Sequence, residues 1–531
     1  MNQPEHFGVG VKGSDVYTEA GVGDDRVVLY TNLVREFEPS EINRLVSKLL
    51  QQSEEVQRDC VVLAFQTRDI RGGKGERDLF TYCMAEILHV HPEWANELLR
   101  LVPTYGAWFD LWKLWNKCSN ETVRQAIDTI VKEQFEKDLS SDHPSLLAKW
   151  LPREKSKYDH LAYHFAHQLF PIKEGQKSDV VLRSYRKAVA DLNRRLETTE
   201  INMCGQTWAK IQPDHVPGRL LKRCKKAFLN KSSNGEVRYE GNEDREECRT
   251  HFEEHANDIQ SGKVTSKGGQ TTMPHEHVHE ILESRCKNLD STEEALRQGQ
   301  WDAIRQTTLQ AGGLGKCVFM CDFSGSMDGV PKEVSLALGI LGSECAHEAF
   351  KDHILTFDST PTWCSFKGKT TLREKVRAVE SFGQGLGTNF QAACDLILKR
   401  LVQYNVPAAE APTDLIVLTD MGFDAASSGG YAHVNKKQEW QTHFSMIRDA
   451  FSALGYVPPR IVCWNLRAEY KDYHAHAHTV GVVQLSGWSP SAFKAIQGSG
   501  VVVETPYQGM RRILDEPRYD PVRDAFKRLK N

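Results

Sequence analysis

The spacing of apolar residues changes its period once along the chain. From about residue 30, segments such as SEINRLVSKLL, VQRDCVVLAFQTRD and NETVRQAIDTIVKEQF place apolar residues three and four positions apart, which is the spacing of an amphipathic helix. Turn-forming residues interrupt this pattern repeatedly, and strand-like alternation is almost absent before residue 300. The pattern predicts a stack of short helices, as in a HEAT-like α-solenoid.

After the glycine-rich segment QAGGLGK the pattern changes to short apolar runs. CVFMCDFS, HILTFDS, DLIVLTDM, RIVCWNL and HTVGVVQLSG have the length of buried strands, and helical segments separate them. Buried strands that alternate with helices are typical of a parallel, doubly wound sheet. The predicted fold class is therefore α + α/β, with an N-terminal solenoid followed by a Rossmann-like domain.

These changes divide the chain into four predicted segments. Residues 1–29 are rich in glycine and polar residues, which favours an irregular segment. Residues 30–312 form the helical domain, with a polar excursion near 230–275. Residues 313–505 form the α/β domain, and residues 506–531 form a C-terminal helical segment.

Oxygen-bearing side chains follow two of the predicted strands. Asp322, Ser324 and Ser326 form a DxSxS loop after the first strand, Asp420 ends the strand LIVLTD, and Thr388 lies in the loop GLGTNF. Ligands of open α/β sheets collect at the carboxyl ends of strands. Two carboxylates and three hydroxyls favour a small hard cation, so we predict one bound Mg²⁺ or Mn²⁺ ion, with water or a partner carboxylate completing its coordination. The alternative is that these side chains are local helix caps, with Ser326 or Asp328 capping one helix and Thr388 or Asn389 the next.

Several motifs carry a resemblance to known families. DFSGSM, GTNFQ and LTDMGFD resemble the metal-ion-dependent adhesion site of von Willebrand factor A domains. From about residue 30 to 505 the chain is similar to the domain of unknown function 2828 family, on the motifs TRDIRGGKGERDLF, VPTYGAWFDLW, NMCGQTWAKIQPDHVP, CDFSGSM, VLTDMGFD and IVCWNLR. That family resembles the Ro autoantigen, or TROVE, proteins, in which a ring of HEAT-like helices is closed by the A domain and binds RNA. The resemblance implies a ribonucleoprotein component of this type.

Two basic segments are candidate RNA contacts. The first is a glycine-rich connection between two helices, with the candidates Arg68, Arg71, Lys74 and Arg77; its amides and cations suit phosphates. The alternative is a structural connection in which its arginines pair with nearby carboxylates. The second segment, residues 205–233, holds seven lysines and arginines and one aspartate, a local attractor for polyanions. Its candidates are Lys210, Arg219, Lys222, Arg223, Lys225 and Lys226.

Composition adds limits on partners and location. The formal net charge is -4, so RNA binding depends on a local basic surface rather than on the charge of the whole chain. The 13 cysteines are scattered without a CxxC pair, which is typical of a reducing compartment. No secretory leader and no run of about 18 apolar residues is visible. We expect a cytoplasmic protein that does not bind membranes.

Three hypotheses of function follow from these features. The leading one is a non-enzymatic RNA-binding protein of Ro-like type, whose metal-bearing A domain stabilises a helical ring or recruits a partner. The second is a metal-dependent protein-interaction scaffold that captures a partner carboxylate without RNA. The third is a metal-dependent nuclease, in which Asp322, Asp420 and the ion activate water.

Overall fold

The chain forms two compact units. The structure is a computed structural model that describes residues 6–171, 178–266, 268, 271–284, 290–357, 360–379, 389–424, 443–497 and 504–530. One unit comprises residues 1–45 and 265–516, and we call it the sheet unit. The other comprises residues 46–264 and 517–531, and we call it the helical unit. Helix α3 (Pro39–Leu50) contains the boundary between residues 45 and 46.

The helical unit consists of short helices joined by turns. Its helices are α4 (Glu54–Arg68), α5 (Arg77–Val90), α6 (Ala95–Leu99), α7 (Val102–Tyr105), α8 (Trp108–Lys117), α9 (Glu121–Leu139), α10 (Leu147–Trp150), α11 (Asp159–Leu169), α12 (Ser178–Arg195), α13 (Thr199–Gly205), α14 (Gly218–Phe228), α15 (Glu243–Gln260) and α23 (Asp520–Lys530). Helix α9 illustrates why they form: the Asn120 side chain accepts a hydrogen bond from the Thr122 amide at 2.9 Å, which caps the first turn. Val123, Ile127 and Ile130 of α9 are buried on one face, as the periodicity predicts.

The sheet unit contains both strands and helices. Its strands are β1 (Phe7–Val9), β2 (Asp15–Tyr17), β3 (Cys317–Asp322), β4 (His353–Phe357), β5 (Trp363–Ser365), β6 (Asp414–Thr419), β7 (Arg460–Asn465) and β8 (Val482–Ser486). Its helices are α1 (Glu19–Val22), α2 (Asp25–Asn32), α16 (Pro274–Glu283), α17 (Ser291–Gln310), α18 (Val330–Cys345), α19 (Leu372–Val379), α20 (Phe390–Gln403), α21 (His443–Ala453) and α22 (Pro506–Leu514).

The main sheet has six strands in the order β5-β4-β3-β6-β7-β8. All neighbouring pairs are parallel except β4 and β5, which are antiparallel. The five strands predicted from apolar runs are therefore confirmed, whereas the short edge strand β5 was missed. Strand β4 pairs with one edge of β3, and β6 pairs with the other edge. The carboxyl ends of β3 and β6 thus meet at a topological switch point, where open α/β sheets bind their ligands.

Helices cover both faces of this sheet. Val318 and Met320 of β3 belong to a core cluster that also contains residues of α20 and α21. The alternate residue Phe319 faces α18, where a Cβ at Gly342 would lie 2.0 Å from its ring. Glycine at this position lets helix and strand approach closely. The observed architecture agrees with the predicted combination of a helical region and a doubly wound α/β region.

The compact units do not coincide with the predicted domain boundary near residue 312. Helices α16 and α17 belong to the sheet unit. The reason is visible at Trp301 of α17, which is fully buried and donates from Nε1 to the Glu344 carboxylate of α18 at 3.0 Å. The apolar period of α17 identifies a helix, but it does not specify the core against which the helix packs.

The N-terminal segment and the polar excursion contain more regular structure than the sequence pattern predicts, whereas the C-terminal segment is helical as predicted. Residues 7–29, for which an irregular segment was predicted, contain β1, β2, α1 and the start of α2. Helix α2 joins the sheet unit because the Thr31 carbonyl accepts a hydrogen bond from the Asn465 side chain at 3.1 Å. Within the excursion, residues 243–260 form α15, and residues 506–530 form α22 and α23 in different units. No helix in the described ranges has the length and apolarity required to cross a bilayer.

Candidate functional site

The loop after β3 gathers three of the predicted ligands. Asp322 is the last residue of β3 and is completely buried. Its Oδ1 accepts a hydrogen bond from the Ser324 amide at 2.9 Å, and its Oδ2 accepts one from the Thr419 hydroxyl at 2.9 Å. The hydroxyl oxygens of Ser324 and Ser326 lie 3.1 Å apart. Neither serine hydroxyl caps a helix, so the local-cap alternative does not account for them.

Asp420 adds a second buried carboxylate at the same edge of the sheet. It directly follows β6, and the parallel pairing of Cys321 with Leu418 brings the ends of β3 and β6 together. Asp420 Oδ1 accepts a hydrogen bond from the Gly422 amide at 3.0 Å. Its Oδ2 is buried and has no hydrogen-bond partner among the described residues. Because leaving a buried carboxylate oxygen without a donor costs free energy, a ligand at this atom would be favourable.

The electrostatics of the pair favour a cation. Burial, followed by the charge of Asp420, raises the pKa of Asp322 to about 7. Two buried carboxylates and two hydroxyls present only oxygen atoms, which suit Mg²⁺ or Mn²⁺ better than Zn²⁺. The residues present therefore fit the predicted ion. No cluster of three or more His, Cys, Asp or Glu side chains suited to a metal occurs among the described residues, and this set relies on hydroxyls instead.

The predicted ligand Thr388 lies outside the described residues. The neighbouring Asn389 is described, and its side chain accepts a hydrogen bond from the Ala392 amide at 2.9 Å. Asn389 is thus the N-cap of α20, as the local-cap alternative allowed for this position. The role predicted for Thr388 therefore stays a prediction.

Two further residues at this edge were missed by sequence reasoning. Asp472 follows β7, is mostly buried, and has its pKa raised by burial and then by the Asp420 charge. Lys12 donates from Nζ to the Ser326 hydroxyl at 3.1 Å. The position of Asp472 soon after a strand was a usable signal, because that strand ends at the same edge. Lys12 gave no signal, since its segment lacks a clear period.

The first basic segment is largely built into the helical unit. Arg68 donates from Nε to Asp110 at 2.6 Å, and both side chains are buried. Arg77 forms an ion pair with the same carboxylate at 2.8 Å. Lys74 is buried, and burial lowers its pKa to about 7. Arg71 alone of the four candidates is well exposed. Arg68 and Lys74 are inaccessible to a phosphate, which favours the alternative of a structural connection, with Asp110 as the partner.

The second basic segment is more accessible. Lys210, Arg219 and Arg223 are exposed, whereas Lys222, Lys225 and Lys226 are half-buried. Lys226 donates to the Ser233 carbonyl at 2.9 Å. Burial lowers the pKa of Arg68, and repulsion from Arg77 and Arg219 lowers it further. Arg219 therefore lies close enough to the first segment for their charges to interact.

A cavity of about 540 Å³ lies in the helical unit. Trp150, Arg153 and Arg223 are among the residues that line it. Two other basic lining residues form ion pairs with lining glutamates, Lys149 with Glu200 and Arg186 with Glu154, at 3.0 and 2.8 Å. Neither Arg153 nor Arg223 forms an ion pair with any described residue. The cavity thus presents two guanidinium groups and an indole to solvent.

Comparisons with known proteins agree with part of the predicted resemblance. Residues 123–314 match the family described as "Domain of unknown function (DUF2828)", and residues 316–521 match the family described as "Domain of unknown function (DUF7788)". An uncharacterized protein of Acanthamoeba polyphaga mimivirus is 28% identical over 461 residues, which cover 82% of this chain and 76% of that protein. No solved structure matches. The similarity to the domain of unknown function 2828 family is therefore confirmed over residues 123–314, while the sheet region is similar to a second family.

Proposed function

We propose that the chain is a non-enzymatic binding protein whose sheet unit contains a von Willebrand A-like metal centre. Asp322, Ser324, Ser326 and Asp420, with Thr388, bind one Mg²⁺ or Mn²⁺ ion. The observation that carries the proposal is the buried Oδ2 of Asp420, which has no hydrogen-bond partner among the described residues and lies next to a second buried carboxylate. When bound, the ion supplies an open coordination position that accepts a carboxylate from a partner protein.

The chain's own residues set the properties of this centre. Asp322 and Asp420 balance the charge of the ion, and the Thr419 hydroxyl and the Ser324 amide hold the Asp322 carboxylate in place. Such supporting hydrogen bonds orient metal ligands and raise affinity. The complete burial of Asp322, Ser324 and Asp420 lowers the local dielectric constant, which strengthens their attraction for the ion.

Titration of the full chain with Mn²⁺, followed by electron paramagnetic resonance, tests the metal centre. We expect one saturable site per chain, and we expect Mg²⁺ to displace the bound Mn²⁺ because both are small cations that accept oxygen ligands. Treatment with EDTA should replace the spectrum of protein-bound Mn²⁺ by that of the Mn²⁺–EDTA complex, without loss of fold. The absence of a saturable site would contradict the proposal, as would several equivalent weak sites.

For the helical unit we propose a HEAT-like solenoid that binds RNA, as the likeness to Ro proteins implies. The observation that favours it is the cavity whose lining includes Trp150, Arg153 and Arg223. Arg223 also lies on α14, which carries five of the six candidate residues of the second segment. Cations that contact phosphates, next to an aromatic ring on which a base stacks, are the usual elements of a single-stranded RNA site. The expected location of such a protein is the cytoplasm.

The double variant Arg153→Ala, Arg223→Ala tests this RNA surface. We expect a loss of affinity for single-stranded RNA of about tenfold or more at low salt, and a shallower dependence of log K on log salt by about 1.4, because two phosphate contacts are removed. Electrophoretic mobility shift over a salt series measures both quantities. Trp150→Leu should weaken binding without changing the salt dependence, since stacking carries no charge.

A matched control for the RNA test is the pair Lys132→Ala, Lys137→Ala on α9. These lysines are exposed, lie in the same unit, and do not line the cavity, so the control removes the same charge elsewhere. We expect it to reduce affinity much less than the cavity variant does. Equal losses in the two variants would show that only the overall charge matters. No RNA binding by the wild-type chain at about 50 mM salt would exclude the function.

A further inference from the structure

A short hairpin lies over the candidate metal centre. Strands β1 and β2 pair in antiparallel fashion, with Phe7 opposite Tyr17 and Val9 opposite Asp15, and we call residues 7–17 the N-terminal hairpin. It belongs to the same compact unit as the centre. Its tip donates a hydrogen bond from the Val11 amide to Asp472 Oδ2 at 3.1 Å. The hairpin thus contacts the carboxyl edge of the sheet directly.

Further contacts fix the position of the hairpin. Gly13 forms an antiparallel bridge with Asp424, four residues after Asp420. A Cβ at Gly10 would lie 2.5 Å from Asp472 Oδ2, so the glycine allows a close approach of the turn to this carboxylate. Tyr17 forms a second bridge with Tyr473. The hairpin therefore contacts the loops that come after β6 and β7.

Lys12, at the tip of the hairpin, contacts the ligand set itself. Its Nζ lies 3.1 Å from the Ser326 hydroxyl oxygen and 5.3 Å from the centre of the Tyr470 ring. A Cβ at Gly422 would lie 3.1 Å from Lys12 Cε, so the lysine side chain also passes next to the residue whose amide binds Asp420. An ammonium group is therefore present where two buried carboxylates concentrate negative charge.

We propose that the N-terminal hairpin is an internal cover of the metal centre and that Lys12 competes with the metal ion for it. This inference rests on the proposed function of the sheet unit. An ammonium group within hydrogen-bond distance of one ligand repels a divalent ion at the same ligands. Its hydrogen bond also uses a lone pair of the Ser326 oxygen. Binding of Mg²⁺ or Mn²⁺ therefore displaces Lys12 and releases the hairpin tip, which opens the coordination position to a partner carboxylate.

The tip of the hairpin is held by polar contacts that water can replace. Each of its strands has only three residues, and a two-stranded hairpin of this size is marginally stable by itself. Val9 and Val11 are 73% and 71% exposed, so the tip buries little apolar surface. Displacement of the tip exchanges these polar contacts for contacts with water, and the repulsion between Lys12 and a bound ion favours this exchange.

The test compares Lys12→Met with the wild-type full chain, since methionine keeps the aliphatic part and removes the charge. We expect Mn²⁺ affinity, measured by electron paramagnetic resonance, to rise about tenfold or more. We also expect amide hydrogen exchange within residues 7–17 of the wild-type chain to accelerate when Mg²⁺ saturates the site. Lys12→Gln serves as a second variant in case methionine perturbs folding.

The matched control is Lys367→Met, which removes an exposed lysine of the same unit outside this edge and should leave Mn²⁺ affinity unchanged. Equal Mn²⁺ affinities in wild type and Lys12→Met, with no change in hydrogen exchange, would contradict the proposal that the hairpin covers the metal centre. The metal centre itself would not be contradicted. An equal rise in affinity for Lys12→Met and Lys367→Met would also overturn the cover. Failure of both wild type and Lys12→Met to bind Mn²⁺ would overturn the metal centre and the cover together.

Discussion

Asp420→Asn is expected to lower the Mn²⁺ affinity of the full chain by about 100-fold or more. Loss of a residue that only supports a metal ligand typically costs 10- to 100-fold, and Asp420 is proposed to contact the ion directly. Asparagine has nearly the same shape and retains an oxygen for the Gly422 amide, which Asp420 Oδ1 binds at 3.0 Å. The loss therefore reports the charge of the carboxylate rather than a change in the loop. Metal titration by electron paramagnetic resonance measures it.

The same variant is expected to be more stable than wild type when no metal is present. Burial, and then the charge of Asp420, raise the pKa of Asp322 to about 7, so the two carboxylates repel each other in the folded state. Removing one of them should raise the free energy of unfolding by about 1 kcal/mol. Thermal unfolding in EDTA measures the change.

A control variant separates these effects from general changes in charge. Asp328→Asn alters an exposed carboxylate close in sequence to the DxSxS loop and should change Mn²⁺ affinity by less than about threefold. If Asp420→Asn destabilises the chain in EDTA and leaves Mn²⁺ affinity unchanged, Asp420 is a local cap of the loop and not a metal ligand.

Arg68→Ala is expected to destabilise the helical unit by about 3 kcal/mol or more. Arg68 and Asp110 are both buried, and their ion pair joins the end of α4 to the start of α8. After the substitution Asp110 retains the Ala107 amide at 2.9 Å and the half-exposed Arg77. These partners compensate only part of the cost of a buried carboxylate. Hydrogen exchange within residues 54–117 as a function of urea measures the loss.

The adjacent Arg71→Ala provides the control for Arg68. Arg71 belongs to the same glycine-rich connection but is exposed, so its loss should change stability by less than about 0.5 kcal/mol. Adding Asp110→Leu to a chain with Arg68→Met should recover part of the stability, because the buried carboxylate that lost the Arg68 charge is then removed as well. An Arg68→Ala chain that is fully stable but binds RNA poorly would instead assign Arg68 to an RNA contact.

The pattern of apolar residues predicted the elements of the sheet unit well. Each apolar run from Cys317 onward is a strand because a strand buried on both faces has no polar positions to interrupt it. Every residue of β3 and β6 is buried, and most of these residues are apolar. The short strand β5 was missed because three residues with an exposed serine carry too little periodicity.

The assignment of helices to units was harder to predict. The apolar spacing around Trp301 and Thr31 does not differ from that of the other helices. Both residues nevertheless join the sheet unit through hydrogen bonds to residues distant in sequence. Local periodicity describes one face of a helix and contains no information about the partner of that face. Contacts of this kind depend on the folded chain as a whole.

The candidate sites illustrate the same distinction. Asp322 and Asp420 were predictable because parallel strands carry their carboxyl ends to one edge, which is a consequence of topology. Lys12 was not, because the hairpin reaches that edge through tertiary contacts alone. Lys74 and Arg68 were predicted to contact RNA because they lie in a segment rich in cations. A cation can contact a phosphate only if it is exposed, and both residues are buried.

Anomalous diffraction from crystals of the full chain soaked in Mn²⁺ tests the central claim most directly. We expect one strong peak at the carboxyl ends of β3 and β6, about 2.1 Å from oxygen atoms of Asp322, Ser324, Ser326 and Asp420, with Lys12 moved away from Ser326. A map without a peak at this edge, or with the only strong peak held by other side chains, would contradict the proposed metal centre.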